Sequence, residues 1–378
     1  MKICTITCHD VYNFGASLQA YALQHYLESL GHEVEIIDYR PAYLYKKYNW
    51  KILTNSYEKY SKLFITKWIF RYAKWSYLKL SSGRKKSFDD FTLKYLHLTP
   101  VTYHNFNELK KNPPKADIII AGSDQIWNPL FPTGQDASYY IDFALPKTKR
   151  ISYAASFSVN QIPKEQKKFI QNLLLKMDAI SVREYQGLDI LKDLGITNGT
   201  KVLDPIFLIN VKEWMQFMHR YSYKNYILIY DFEGNSILKE TALHFKKKYG
   251  LKIFSINDAI PRWYADKNFI NVGPQDFIGL IYGCSLFLSN SFHGTAFSAY
   301  FNKPFYVFDL IGFKSNSRMN SLLRTLFLEN RFVNQTTNIE KLHLECDFTQ
   351  ANEIIEKEIL SSKTFLTETL KRSLNEIA

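Results

Sequence analysis

The stretch Lys2–Asp38, KICTITCHDVYNFGASLQAYALQHYLESLGHEVEIID, decides the fold. Ile3 to Thr7 reads as a strand, HDVYNFG as a loop, and Ala16 to Leu30 as a helix that Gly31 stops. Val34 to Asp38 is the next strand, closed by Pro41. Two strands joined by a helix within so short a span must pair in parallel. The same unit recurs outward. ADIIIA (Ala116–Ala121) is a buried strand leading into Gly122-Ser123-Asp124-Gln125. Arg150 to Ala154 is a strand, Lys164 to Met177 a helix, and Asp178 to Val182 a strand ending at Arg183.

Leu203-Asp204-Pro205 breaks the alternation, which then restarts. Strands are predicted over Tyr226–Tyr230, Lys252–Ile256, Phe269–Val272, Ser285–Ser289 and Phe305–Phe308. Helices fall between them over Ser236–Tyr249, Pro274–Tyr282 and Thr295–Phe301. A chain of 378 residues exceeds one hydrophobic core. The expected fold class is therefore α/β, with two Rossmann-like domains facing an interdomain cleft. Residues 1–204 form the first, with an insertion at 43–110, and residues 205–345 the second. A C-terminal helical segment, 346–378, packs back on the first.

The net charge of +12 is concentrated. Between Tyr43 and Phe88 stand ten lysines and two arginines against one acid, Glu58. Tyr57, Tyr60, Phe64, Trp68, Tyr72 and Trp75 recur there at helical spacing. The favoured reading is a basic, aromatic helical insertion that packs this stripe on the core. The alternative is peripheral contact with an anionic membrane. With the charge in one segment and no nucleic-acid motif, nucleic acid is not an expected partner. No apolar run approaches the ~18 residues of a membrane span, and the first residues enter a strand at once, so a cytoplasmic protein is expected. Cys4, Cys8, Cys284 and Cys346 lack metal spacing and read as reduced thiols.

Ligands of open parallel sheets bind beyond the carboxyl ends of the strands, which selects four loops. In SNSFHGT (Ser289–Thr295), Gly294 permits close backbone approach and a helix beginning near Thr295 offers N–H groups to an anion. No acid occurs from Phe277 to Phe308, while His293 and Lys303 do, which favours an anionic ligand and a proton-exchanging histidine. Arg183 can grip a carboxylate or phosphate, or simply pair with Glu184. Asp124 is a candidate base or sugar-hydroxyl contact beside Ser123, with Trp127 as a stacking platform. Asn13 and Gly15 open the first helix like a shortened phosphate or sugar loop. Without G-x-G-x-x-G a dinucleotide is not indicated.

In series, YNFGASLQAYAL (Tyr12–Leu23), GSDQIWNP (Gly122–Pro129), RISYAASF (Arg150–Phe157), SVRE (Ser181–Glu184), LDP (Leu203–Pro205) and SNSFHGTAFSAYFNKPF (Ser289–Phe305) resemble the polysaccharide pyruvyl transferase family. The resemblance implies a GT-B-like fold and transfer of the pyruvyl group of phosphoenolpyruvate onto two sugar hydroxyls as a ketal. It implies His293 as proton donor and Arg183 as a grip on the donor, with no cofactor and no metal. Some members carry a second arginine two residues before that histidine. Here Ser291 stands in the donor loop, leaving Lys303 or a first-domain lysine to supply the contact. The acceptor, a sugar or lipid-linked oligosaccharide, is expected against Asn13, Gly15, Ser123 and Trp127. The competing reading is a nucleotide-sugar glycosyltransferase, against which the acid-free run argues.

Overall fold

The computed structural model describes residues 1–45, 64–257, 260–310 and 317–377. The first strands are β1 (Lys2–Ile6), β2 (Glu33–Tyr39), β3 (Leu98–Tyr103), β4 (Ile118–Ala121) and β5 (Lys149–Ser152). They form a sheet ordered β3-β2-β1-β4-β5, parallel throughout. A two-stranded piece, β6 (Ser181–Val182) with β7 (Thr200–Lys201), follows and bridges back to the end of this sheet through Ala155 and Val182. The second sheet holds β8 (Tyr226–Tyr230), β9 (Lys252–Ile256), β10 (Lys267–Phe269), β11 (Leu286–Ser289), β12 (Phe305–Phe308) and β13 (Phe332–Val333). Its order is β10-β9-β8-β11-β12-β13, again all parallel.

Sequence chemistry explains these elements. The residues of β4, β8, β11 and β12 are all buried, as expected of strands covered on both faces. Asn13 caps the helix Phe14–Ser29 by accepting from the Ala16 N–H, and Gly31, at φ 84°, ends the turn that follows. Each sheet winds outward from its first strand and then returns to the other side. The crevices thus open between β1 and β4, and between β8 and β11.

The two halves meet face to face there. Phe14 stacks on Phe277 with ring centroids 4.5 Å apart and planes 2° from parallel, and one apolar cluster runs from Leu18 through Phe277 to Leu228. The helix Thr349–Ile377 returns to the first half. Its Leu366 and Leu370 pack with Ile3, Leu23 and Ile118, and Lys201 pairs with Glu358. No helix among the described residues is long and apolar enough to cross a membrane.

Two expectations change. The segment 43–110 is not wholly an insertion, because its residues Leu98–Tyr103 form β3, an edge strand of the main sheet. The second half of the aromatic stripe, Trp68, Tyr72 and Trp75, does not pack on the core either. Trp68, Tyr72 and Trp75 on the helix Phe64–Leu80 are exposed, and core contact comes instead from Phe88 and Phe91 on the helix Ser82–Tyr95. Tyr57 and Tyr60 lie outside the described residues.

Candidate active site

The site is built where the two crevices face each other. Asp204, on the segment joining the halves, is its centre. Its carboxylate Oδ2 accepts from Arg183 Nη1 at 2.8 Å and from Ser123 Oγ at 2.9 Å, and lies 3.2 Å from His293 Nε2. Oδ1 caps the following turn by accepting from the Ile206 N–H. Burial raises the Asp204 carboxyl, but the charges of His293 and Arg183 outweigh it and hold the group well below the ordinary carboxylate range. Asp204 is therefore a buried anion near neutral pH.

Arg183 leaves the end of β6 and is as deeply buried, with a side chain 2% exposed. Its Nε donates to Glu184 Oε1 at 3.0 Å, and its guanidinium lies 4.1 Å over the Phe292 ring. Glu184 in turn accepts from Ser156 Oγ. Desolvation works against the charged guanidinium, yet Glu184 and Asp204 raise its pKa overall. The simple pairing with Glu184 is thus present, and it orients the guanidinium toward the site. Nη2 has no hydrogen-bond partner among the described residues.

His293 sits in the first turn of a helix that begins at Phe292, three residues earlier than predicted, because Ser291 caps it by accepting from the Gly294 N–H. His293 Nε2, though near Asp204, is out of line for a hydrogen bond and has no other such partner among the described residues. The other side of the ring presses on the first half. A Cβ on Gly15 would stand 2.0 Å from His293 Nδ1. That contact explains the glycine of YNFG: the two halves close on each other with one imidazole between them. Gly15→Ala is expected to displace the ring, costing about 1–3 kcal/mol of stability, as overpacking does. It should lower activity more than a neutral change at Ser29, the exposed end of the same helix. Urea melts and turnover, measured together, check this.

The other predicted residues divide. Asp124 adopts a left-handed backbone, φ 75°, and its Oδ1 lies 4.0 Å from Arg318 Nη1, at the rim of the same site. Ser123 is fully buried inside the Arg183–Asp204 network, not on an acceptor surface. Trp127 cannot be a stacking platform. It is fully buried, stacked on Tyr140, and its indole N–H donates to the Tyr139 carbonyl. Lys303 lies past the far end of the Phe292–Tyr300 helix, with its ammonium over Tyr282. Gly294 serves helix packing, since a Cβ there would strike the Phe287 ring at 2.7 Å. The Thr295 hydroxyl is spent on the Ser291 carbonyl. Asn13 caps its helix.

Two carboxylates and a cation escaped or misled sequence reasoning. The run around His293 is acid-free only along the chain, because Asp204 is delivered to it from the joining segment. Asp204 had a signal: a lone carboxylate inside VLDPIFLI needs a buried partner. Glu184 was considered only as a salt-bridge partner. Arg318, on the helix Ser317–Thr325, lines the same small pocket as Arg183, Asp204 and Phe292, and nothing in its local sequence marked it. Among the described residues no cluster of three or more His, Cys, Asp or Glu side chains is placed to hold a metal ion.

Two Rossmann-like halves with a buried Arg–Asp–His cluster at their seam define a GT-B-like two-domain α/β protein. In fold the chain resembles a Listeria monocytogenes protein assigned as a UDP-N-acetylglucosamine 2-epimerase. The two share 10% identity at a TM-score of 0.57, over 100% of this chain and 97% of that one. The UDP-GlcNAc 2-epimerase of Methanocaldococcus jannaschii, solved with UDP-GlcNAc and UDP, aligns at 14% identity and TM-score 0.49, over 97% and 100% of the chains. At such identities the likeness concerns fold alone, and the first structure carries it. No curated protein matches the sequence. Residues 13–310 match the polysaccharide pyruvyl transferase family, and the chain belongs to that family of transferases.

Proposed function

We propose that the protein transfers the pyruvyl group of phosphoenolpyruvate onto two hydroxyls of a polysaccharide-repeat sugar, giving a ketal and inorganic phosphate. The observation that carries this reading is the His293–Asp204–Arg183 cluster, buried where the two halves meet. Phosphoenolpyruvate is an enol ester whose central carbon becomes electrophilic once its methylene is protonated. His293 is placed to deliver that proton, with the ionised Asp204 as counter-charge. One sugar hydroxyl then adds to the central carbon, and phosphate leaves. The second hydroxyl adds to the resulting oxocarbenium ion. Of the two hydroxyl protons released, one restores the acid and the other balances the departing phosphate. Arg183 Nη2 faces the donor's negative charge, and Asp124, at the rim, contacts the acceptor hydroxyl. Incubation with phosphoenolpyruvate and candidate oligosaccharides tests the reading. Phosphate release should match, mole for mole, the pyruvyl groups found on the sugar by mass spectrometry.

The acceptor we favour is lipid-linked, met at the cytoplasmic face of a membrane. Support comes from the helix Phe64–Leu80, where Trp68, Tyr72 and Trp75 are exposed beside Arg71, Lys74 and Lys79. Exposed Trp and Tyr among basic residues suit an anionic interface. The expected result is sedimentation with phosphatidylglycerol vesicles but not phosphatidylcholine vesicles, weakened severalfold in a Trp68→Ala/Trp75→Ala variant. Equal binding by variant and wild type would remove this helix from the account.

A further inference from the structure

The sequence left one donor contact without a source, since Ser291 carries no charge and Lys303 faces Tyr282. Two guanidiniums nevertheless line one tight pocket, with a cavity of only ≈ 10 Å³ between the side chains: Arg183 from β6 and Arg318 from the helix Ser317–Thr325. Arg183 spends Nε and Nη1 on Glu184 and Asp204, and its Nη2 has no hydrogen-bond partner among the described residues although the side chain is 2% exposed. Among the described residues the carboxylate paired with Arg318 is Asp124, at 4.0 Å, too long for a hydrogen bond. The carbonyl of Gln125, with its amide turned to satisfy both ends, reaches the two Arg318 terminal nitrogens at 3.1 Å and fixes the fork in place. Burial, and next the like charge of Arg183, lower the Arg318 pKa to about 10. Two cations held together in a nearly dry pocket repel, and an oxyanion between them relieves that repulsion.

We propose that Arg318 is the second donor anchor, which with Arg183 Nη2 grips one oxyanion of the donor, its phosphate or its carboxylate. The cation that other family members carry beside the histidine is thereby supplied from a different helix. This rests on the donor-site reading above, but it can fail independently of pyruvyl transfer.

The test uses the full chain and measures binding of inorganic phosphate and of pyruvate by calorimetry. Wild type, Arg318→Gln, Arg318→Lys and the surface control Arg372→Gln are compared, with circular dichroism confirming that each is folded. Loss of one charged hydrogen-bonding partner should raise the Kd of the bound anion about 10-fold or more in Arg318→Gln. Arg318→Lys should recover part of it, as a point charge without the fork. Loss confined to phosphate assigns the phosphate end, and loss confined to pyruvate the carboxylate end. With phosphoenolpyruvate and acceptor, Arg318→Gln should raise KM more than it lowers kcat. The proposal is overturned if folded Arg318→Gln binds both anions as wild type does, or if wild type binds neither at millimolar concentration. If wild type binds phosphate through Arg318 but makes no ketal, the anion site stands and pyruvyl transfer falls. If ketal forms and Arg318→Gln keeps the wild-type KM, the transfer stands and Arg318 loses its role.

Discussion

Replacing His293 by glutamine is expected to lower pyruvyl transfer by about 10²–10⁴-fold, the usual contribution of a positioned general acid. The ring occupies a slot between the Gly15 backbone and the Asp204 carboxylate, and its Nε2 has no protein hydrogen bond among the described residues. Glutamine fills much the same slot and hydrogen-bonds, but it cannot deliver a proton. The loss should therefore fall on kcat, with phosphoenolpyruvate binding largely retained. The control is His104→Gln, an exposed histidine of the first half, which should keep full activity. Equal behaviour of the two variants would remove His293 from the chemistry.

The second large effect is on the fold itself. Asp204→Asn preserves shape and can still cap Ile206, but it removes one of the two charges that neutralise Arg183. Breaking a buried ion pair on one side typically costs about 3–5 kcal/mol, because the remaining charge stays desolvated. The sign of the pH dependence follows from the carboxyl being held below its ordinary range. Such a group adds stability above its unfolded pKa, about 3.9, and loses that contribution as pH falls through the folded value. Wild type should thus destabilise in acid more steeply than Asp204→Asn, although it starts from a higher plateau. Replacing the whole buried set, Arg183→Met with Asp204→Leu and Glu184→Gln, leaves no unpaired charge and should regain part of the lost stability and none of the activity. Urea unfolding at several pH values measures each of these. An Asp204→Asn plateau equal to that of wild type would mean that the cluster contributes nothing to the fold.

Much of the architecture was legible in the sequence because parallel strands buried on both faces read as short apolar runs. ADIIIA and YILIY are such runs, with glycine- or asparagine-marked helices between them. The rule that ligands bind at strand ends singled out His293, Arg183 and Asp124, which the fold places near one another. Asp204 was missed because its role is tertiary. It lies 89 residues from the histidine it faces, so an acid-free stretch of sequence became an acid-bearing site in space. Arg318 was missed for the same reason, being one of many basic residues with no local mark. Trp127 failed differently. A tryptophan beside a strand-end loop fits a ring platform or a core plug equally well, and the burial of Tyr139 and Tyr140 around it decides for the core.

The central claim is that the seam between the two halves takes phosphoenolpyruvate rather than a nucleotide sugar. The fold alone does not separate these donors, since a structure that shares it is assigned as a UDP-N-acetylglucosamine 2-epimerase. Carbon-labelled phosphoenolpyruvate and a UDP-sugar, each offered in turn with the same acceptor oligosaccharide, do. The account predicts a labelled ketal carbon in the acceptor's NMR spectrum, equimolar phosphate, and no UDP release. UDP release with sugar transfer, and no label from phosphoenolpyruvate, would contradict it.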